Sequence, residues 1–312
     1  KLTANLTSKP IEKNSVLKKV RIASLYSLAV IAIMIFGHLV FKYVPFTDIS
    51  SFIAITLESF DSHLWLYILA GFIAQMIDGA LGMAYGVSVT TFLLSLGIPA
   101  ITPAVASASM HASEVFTTGS SSLVYMRYKN VNMKLFKKLL WPGAIGAILG
   151  ATAVSFISKD YFTIIKPLVS VYTLVLGVMI IFRAKNIHLK RGPKIKKVGI
   201  VAATGGFLDS VGGGGWGPIV TTSLVAGGRN LKYAIGSSHL AKFFVATIST
   251  ITFFSIIGLS HWQIILGLVI GGMVAAPISI YFSNKIPTKK GLLFVGCLVI
   301  AISLKTIIST FI

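Results

Sequence analysis

Long apolar runs separated by short polar segments dominate the pattern of this chain. A helix needs about 20 apolar residues to cross a bilayer, and runs of this length occupy 22–44, 103–126, 136–158, 161–182, 233–258, 262–282 and 290–311. The pattern therefore predicts an all-α polytopic membrane protein with seven transmembrane helices. We expect the first run to be retained as a helix, because it is too long for a signal peptide and lacks a small-residue cleavage site.

Two further apolar stretches, 64–97 and 198–226, do not fit a single crossing. Each is longer than a normal span and is interrupted near its middle by glycine-rich sequence, at 78–86 and 209–218. Four consecutive glycines, 212–215, cannot support an ordinary packed helix. We therefore predict two re-entrant helical hairpins, each of which enters and leaves the membrane on the same side.

The composition excludes a soluble globule. Hydrophobic residues make up 55% of the chain and charged residues only 12%, whereas about 25% is usual for soluble domains. The formal charge of +20 does not indicate nucleic acid, because the basic residues lie in short loops between apolar runs. The single cysteine, Cys297, excludes an intrachain disulfide and a cysteine relay.

The basic loops predict the topology. Of the 28 Lys and Arg residues, 23 lie in the arm 1–21 and in four loops, 127–138, 183–197, 227–232 and 283–290. The positive-inside rule requires all of these segments to be cytoplasmic. This is possible only if 64–97 enters the membrane from outside and returns there, and if 198–226 enters from the cytoplasm and returns there. We expect a multi-pass protein of the cell (inner) membrane with a cytoplasmic N-terminus and an external C-terminus.

The two halves of the chain resemble each other. Asp78 to Gly86 has the spacing of Asp209 to Gly217, and His111 and Glu114 recur 128 residues later as His239 and Lys242. Because three crossings separate the hairpins, the second half is inverted, as in many transporters. The predicted segments are a basic arm 1–21, an extra helix with its external loop 22–63, a first repeat 64–182, a basic linker 183–197 and a second repeat 198–312.

The hairpin tips are the candidate site for a small anion. The second half-helix of each hairpin, from about Val87 and Pro218, would begin near the bilayer centre, where free N–H groups and the positive helix end attract anions. The candidate substrate residues at the tips are Gly82, Tyr85, Gly86, Thr90, Gly213, Gly214, Gly215, Trp216, Gly217 and Thr221. Packing is an equally good role for the two aromatic residues.

The remaining glycines of the spans favour another role. We expect the group that follows to permit close helix packing rather than ligand binding. Its members are Gly143, Gly146, Gly150, Gly267 and Gly271.

Ionisable residues inside predicted spans complete the candidate site, since such groups usually face a cavity or a partner. Lys242 contacts the anion or pairs with Glu114 between the two repeats; the sequence leaves both roles open. His111 and His239 are candidate proton carriers or satisfied interior donors.

Two acidic residues lie at the tips themselves. Asp78 and Asp209 cap loop N–H groups, which we favour, or bind a coupling proton or cation. No metal site is predicted, because the chain contains no metal-ligand motif such as H-E-x-x-H.

These residues resemble those of a known family. The segments GFIAQMIDGALGMAYGVSVTT and GGFLDSVGGGGWGPIVTT, with SASMHASEVFTTG and IGSSHLAKFF, are similar to the sulfite exporter TauE/SafE family over roughly 64–310. The resemblance implies a secondary transporter that exports sulfite or an organosulfonate by alternating access, coupled to protons or sodium. Relatives usually carry glutamate at the position of Lys242. The lysine argues against a coupling scheme with two symmetric glutamates, or it indicates a site for a more highly charged anion.

Other function classes are weaker. A passive anion channel on the same scaffold is the main alternative, and unsaturable flux or bilayer currents would identify it. The chain has no P-loop and hence no ATP motor of its own. An enzyme is disfavoured because the two histidines lie 128 residues apart without a metal-binding motif. The sequence predicts no cofactor and leaves a homodimer open.

Overall fold

The computed structural model describes residues 63–81, 83–160, 162–185, 195, 197–258, 261–283 and 288–311. All of them belong to one compact unit, residues 61–312. The predicted arm 1–21, nearly all of 22–63, most of the linker 183–197 and Gly82 lie outside the described residues.

The described residues form helices and no β-strand, which confirms the all-α prediction. The helices follow one another in the order given next. They are α1 (Leu64–Leu81), α2 (Tyr85–Ser95), α3 (Pro103–Arg127), α4 (Met133–Asp160), α5 (Phe162–Lys185), α6 (Val198–Gly212), a π-helical segment (Trp216–Thr221) continued by α7 (Thr222–Ala226), α8 (Leu231–Ile257), α9 (Trp262–Ser283) and α10 (Thr288–Phe311).

Four of the described helices are long and apolar enough to cross a membrane, so the chain is a multi-pass membrane protein. They are α4, α5, α8 and α10, with spans Met133–Ile157, Ile164–Lys185, Lys232–Ile257 and Lys289–Ser309. Helix α3 has 25 residues but is not among the four, because serine and threonine are frequent in it. Most of α3 is buried against other helices, so its polar side chains need not meet lipid.

The helical path is interrupted twice, at equivalent positions of the two halves. We call the described residues 83–84 the first interruption and residues 213–215 the second interruption; they lie between α1 and α2 and between α6 and the π-helical segment. Gly213 has φ +69° and Ala84 has φ 89°, both in the left-handed region, which lets the chain leave the helical path. For a residue with a Cβ, such as Ala84, this conformation costs about 1–2 kcal/mol.

The interruptions are shorter than the sequence predicts. Asp78 and Asp209 lie in the last turns of α1 and α6, and the second half-helices begin at Tyr85 and Trp216, two residues before the predicted starts. The predicted starts at Val87 and Pro218 are therefore wrong by two residues. The physical reason is that each aspartate accepts a hydrogen bond from the first N–H of the following helix, so that this helix begins nearer to the aspartate in the chain.

Helices of each half pack against helices of the other half. Helix α1 packs along α9 of the other half, and its counterpart α6 packs along α4. The equivalent pairs α3 with α8 and α5 with α10 also contact each other directly. This reciprocal pattern is what a pseudo-twofold relation between two repeats produces.

Glycines permit the closest of these helix contacts. A Cβ on Gly71 would lie 2.3 Å from the carbonyl oxygen of Leu268, and a Cβ on Gly206 would lie 2.3 Å from that of Gly143. The glycines predicted to serve packing, including Gly146 and Gly271, face the backbone or side chains of a neighbouring helix in the same way. That prediction is confirmed, because a side chain at these positions would push the helices apart.

Candidate functional site at the junction of the two interruptions

In the interior of the protein, the second interruption contacts the first turns of α2, and the first interruption contacts the first turn of the π-helical segment. A Cβ on Gly86 would lie 2.3 Å from the carbonyl oxygen of Gly213, and a Cβ on Gly214 would lie 2.7 Å from backbone atoms of Val87. The Thr90 hydroxyl donates a hydrogen bond of 3.3 Å to the same Gly213 oxygen. We call this contact the junction; it joins residues that are more than 120 positions apart in the chain.

An aspartate caps each half-helix that begins at the junction. Oδ1 of Asp78 accepts from the Tyr85 N–H at 3.3 Å, and Oδ1 of Asp209 accepts from the Trp216 N–H at 2.9 Å. Both aspartates are buried. These hydrogen bonds are the ones that the predicted capping role requires, and they give the first N–H of each half-helix a carboxyl oxygen as its partner.

The two aromatic residues of the junction are anchored by serines. Tyr85 donates from its hydroxyl to Ser113 Oγ at 3.0 Å, and the indole N–H of Trp216 donates to Ser238 Oγ at 3.0 Å. Thr221 shares a 2.7 Å hydrogen bond with Ser238 as well. Both rings are almost fully buried. They are part of the packed wall of the junction, and the sequence did not single out either serine.

A buried ion pair connects the two halves beside the junction. Lys242 Nζ on α8 donates to Glu114 Oε1 on α3, and both side chains are buried. Of the two roles that the sequence leaves open for Lys242, the structure contains the pair with Glu114. An anion contact by Lys242 would have to share the ammonium group with this carboxylate.

His111 lies between this pair and the second interruption. Its Nε2 is 3.3 Å from the carbonyl oxygen of Asp209, and since a carbonyl only accepts, Nε2 carries the hydrogen. Its Nδ1, at 3.8 Å from Glu114 Oε2, is then an acceptor. The ring also stacks on Phe253 with centroids 6.1 Å apart.

Three buried side chains converge at this point. One ligand atom from each of His111, Glu114 and Asp209 lies within 4.8 Å of the other two. The atoms His111 Nδ1, Glu114 Oε2 and Asp209 Oδ2 have no hydrogen-bond partner among the described residues. We call these three residues the acceptor cluster. His239, the repeat counterpart of His111, lies elsewhere, with its ring centroid 5.2 Å from that of Tyr125.

Arg183 is a residue of the site that the sequence reasoning missed. It was counted among the loop charges, but α5 continues to Lys185 and therefore includes it. Its Nη1 is 2.8 Å from Met83 Sδ in the first interruption and donates to the Thr222 hydroxyl at the start of α7. An arginine at the end of an apolar run, with a side chain long enough to reach back, was the available signal.

Interrupted helices that meet in a protein interior, beside buried charges, are typical of membrane transport proteins. Residues 67–306 match the family described as sulfite exporter TauE/SafE, and the chain belongs to that family. It is 36% identical over 263 residues to the probable membrane transporter protein YtnM of Bacillus subtilis (strain 168), covering 80% of this chain and 84% of the relative. No solved structure matches the chain.

Proposed function

We propose that the chain is a secondary transporter that exports sulfite or an organosulfonate by alternating access, with the anion bound at the junction. The contact at the junction between the start of α2 and the second interruption, Gly86 against Gly213, is the observation that carries this proposal. Alternating access moves one half of a transporter against the other around a shared site, and the junction is built from both halves. The name of the family supplies the substrate class.

The proposed membrane arrangement has seven crossings and two re-entrant hairpins in an inverted repeat. Helix α2 has 11 residues, which at 1.5 Å per residue is about 16 Å, or half of the hydrocarbon core. The π-helical segment with α7 is equally short. Limbs of this length reach from the bilayer centre to one surface, so the interruptions would lie near the midplane.

Cysteine labelling tests this topology in a Cys297→Ser background. We expect Tyr128→Cys, Lys197→Cys and Lys232→Cys to react from the cytoplasmic side, because all three lie in or beside the basic loops. Ala100→Cys, on the loop before α3, is expected to react only from outside. Labelling of Lys197→Cys and Lys232→Cys from opposite sides would show that 198–226 crosses the membrane and would contradict the hairpin.

The acceptor cluster is the proposed site of the coupling cation. With neutral His111, the buried carboxyl groups of Glu114 and Asp209 have one ammonium group, that of Lys242, beside them, and Asp78 adds a further carboxyl group nearby. A buried charge without a partner is unfavourable, and unpaired acceptors attract a proton or a sodium ion. The cation would also lower the repulsion that Asp209 exerts on an arriving anion, so the two ligands would bind together.

The combined charge of the two ligands agrees with export. A divalent sulfur oxyanion that moves with one monovalent cation carries a net charge of −1. A membrane potential that is negative inside favours the outward movement of this charge by about 2.3 kcal/mol per 100 mV. We therefore expect the export of a divalent substrate such as sulfite to be electrogenic.

Sulfite efflux from proteoliposomes tests the transport function. We expect saturable efflux that is faster with an inside-negative potential, at fixed pH and with sodium or choline as the bulk cation. Asp209→Asn retains the Oδ1 cap on Trp216 and removes the charge. We therefore expect it to abolish the effect of the coupling cation on the affinity for sulfite. Between linked sites such an effect is about 5- to 150-fold. The matched change Asp78→Asn lies outside the acceptor cluster and should retain that effect.

The same experiment can contradict the proposal in two ways. Efflux that rises linearly with sulfite concentration, together with currents across a planar bilayer, would identify the chain as an anion channel. Unchanged cation dependence in Asp209→Asn would remove the acceptor cluster from coupling while leaving transport itself in place.

A further inference from the structure

Arg183 brings a positive charge to a point where both halves of the protein meet. Its guanidinium contacts Met83 in the first interruption and Thr222 in the second half. The Thr222 hydroxyl also bonds to the Gly217 carbonyl oxygen at 3.2 Å, and Met83 lies against Gly217 across the junction. One half-buried arginine is therefore held beside the residues that begin the second half-helix.

The contacts of Arg183 are with uncharged groups. Among the described residues, the carboxylate of Glu114 forms an ion pair with Lys242, and Arg183 forms none. Both contacts of Arg183 use Nη1. A guanidinium has five N–H donors, so the edge formed by Nε and Nη2 is left without a partner among the described residues.

The Nε and Nη2 edge is the part of arginine that binds oxyanions best. Its two parallel N–H groups match two oxygens of a carboxylate, phosphate or similar group, and such charge-assisted bonds are stronger than neutral ones. Sulfite and sulfonates present three oxygens on one sulfur, which suits this fork. Lys242, the other buried base near the junction, already has Glu114 as its partner.

Arg183 also makes the junction asymmetric, because the second repeat has no equivalent arginine. Its helix α5 corresponds to α10 in the second repeat, and the sequence of α10 contains no arginine. In the proposed topology, Arg183 lies at the cytoplasmic end of α5 and is the first residue of the basic segment 183–197. An anion that arrives from the cytoplasm would reach this guanidinium before it passes between the interruptions.

We propose that Arg183 binds the substrate oxyanion through Nε and Nη2, while Met83 and Thr222 hold its Nη1 in place, and that it forms the cytoplasmic part of the binding site. This inference rests on the proposed transport function and adds to it the residue that recognises the anion. It assigns the Thr222 hydroxyl a positioning role, since that group touches Arg183 rather than the ligand.

Sulfite binding to the purified protein in detergent tests the assignment, by calorimetry and by sulfite-dependent thermal stabilisation. We expect Arg183→Gln to weaken sulfite binding by about ten- to a hundredfold, as the loss of hydrogen bonds from a charged donor predicts. Arg183→Lys keeps the charge but not the fork, so an intermediate loss is expected. Lys185→Gln removes the same charge from an exposed position two residues away and should bind like the wild type.

The possible outcomes separate the two proposals. If the wild type binds sulfite or sulfoacetate and Arg183→Gln binds equally well, Arg183 is not in the site, while the transport function is unaffected. If the wild type binds neither probe, the substrate class and this inference are both overturned. If Arg183→Gln is not monodisperse by size-exclusion chromatography, Arg183→Lys decides, and wild-type affinity in that variant would contradict the bidentate contact.

Discussion

Replacing Gly213 by alanine is expected to abolish sulfite transport and to lower thermal stability, whereas the same change at Gly97 should leave transport intact. Both glycines have φ +69°, so an alanine costs about 1–2 kcal/mol of backbone strain at either position. At Gly213 the new Cβ would also lie 1.8 Å from Thr90 Oγ1 and 2.8 Å from Thr90 Cβ. At Gly97 it would meet nothing within 4 Å.

The pair of variants separates backbone strain from contact across the junction. Overpacking adds about 1–3 kcal/mol to the cost at Gly213, to be measured by thermal unfolding in detergent, and proteoliposome efflux measures transport. Gly86→Ala approaches the same contact from the first half, where its Cβ would lie 2.3 Å from the Gly213 carbonyl oxygen. Normal efflux in Gly213→Ala and Gly86→Ala would show that the junction is not the transport site.

Removing one partner of the Glu114–Lys242 pair is expected to destabilise the protein by about 3–5 kcal/mol, because the other charge is then buried alone. Lys242→Met leaves Glu114 beside Asp209, and Glu114→Gln leaves an ammonium group without its carboxylate. The double variant removes both charges and should recover most of the lost stability. Unfolding of the purified proteins in detergent measures all three variants.

Two comparisons make this prediction decisive. Lys305→Met is the same chemical change at an exposed position of α10, and we expect it to alter stability by no more than about 0.5 kcal/mol. A double variant that stays as unstable as the single variants would contradict the ion pair. Sulfite affinity in the recovered double variant separates the roles of Lys242: a loss of tenfold or more would assign it an anion contact as well.

The arrangement of charges suggests how anion and cation binding are linked. Asp209 belongs both to the capped start of the second half-helix and to the acceptor cluster. A cation at the cluster would therefore change the charge of the carboxylate that caps the proposed anion site. This double membership makes Asp209 the residue through which we expect the two sites to communicate.

Much of this fold could be predicted from local patterns. Apolar runs and glycine-rich breaks indicate helices and interruptions without knowledge of their neighbours, because hydrophobicity and backbone freedom are properties of the residues themselves. The capping role of Asp78 and Asp209 was predictable for the same reason, since a cap joins residues only seven positions apart. The packing role of Gly146 and Gly271 likewise follows from their place within long apolar spans.

Other parts of the site depend on contacts between distant residues. Arg183 and Met83 are 100 positions apart, and His111 and Asp209 are 98 apart. No periodicity within a single helix encodes such distances. Ser113 and Ser238 could not be recognised as partners of Tyr85 and Trp216 either, because serine recurs in both α3 and α8 and its orientation depends on how the helices pack.

The sequence by itself determined that this chain is helical, belongs in a membrane, and breaks its helical path at two related places. Only the tertiary structure decided that each interruption touches the half-helix that begins in the other half, that Lys242 pairs with Glu114 and that Arg183 reaches both halves. The physical reason is that apolar burial and glycine flexibility act locally along the chain. The partners of buried charges are chosen by the packing of α3, α5, α6 and α8 in three dimensions.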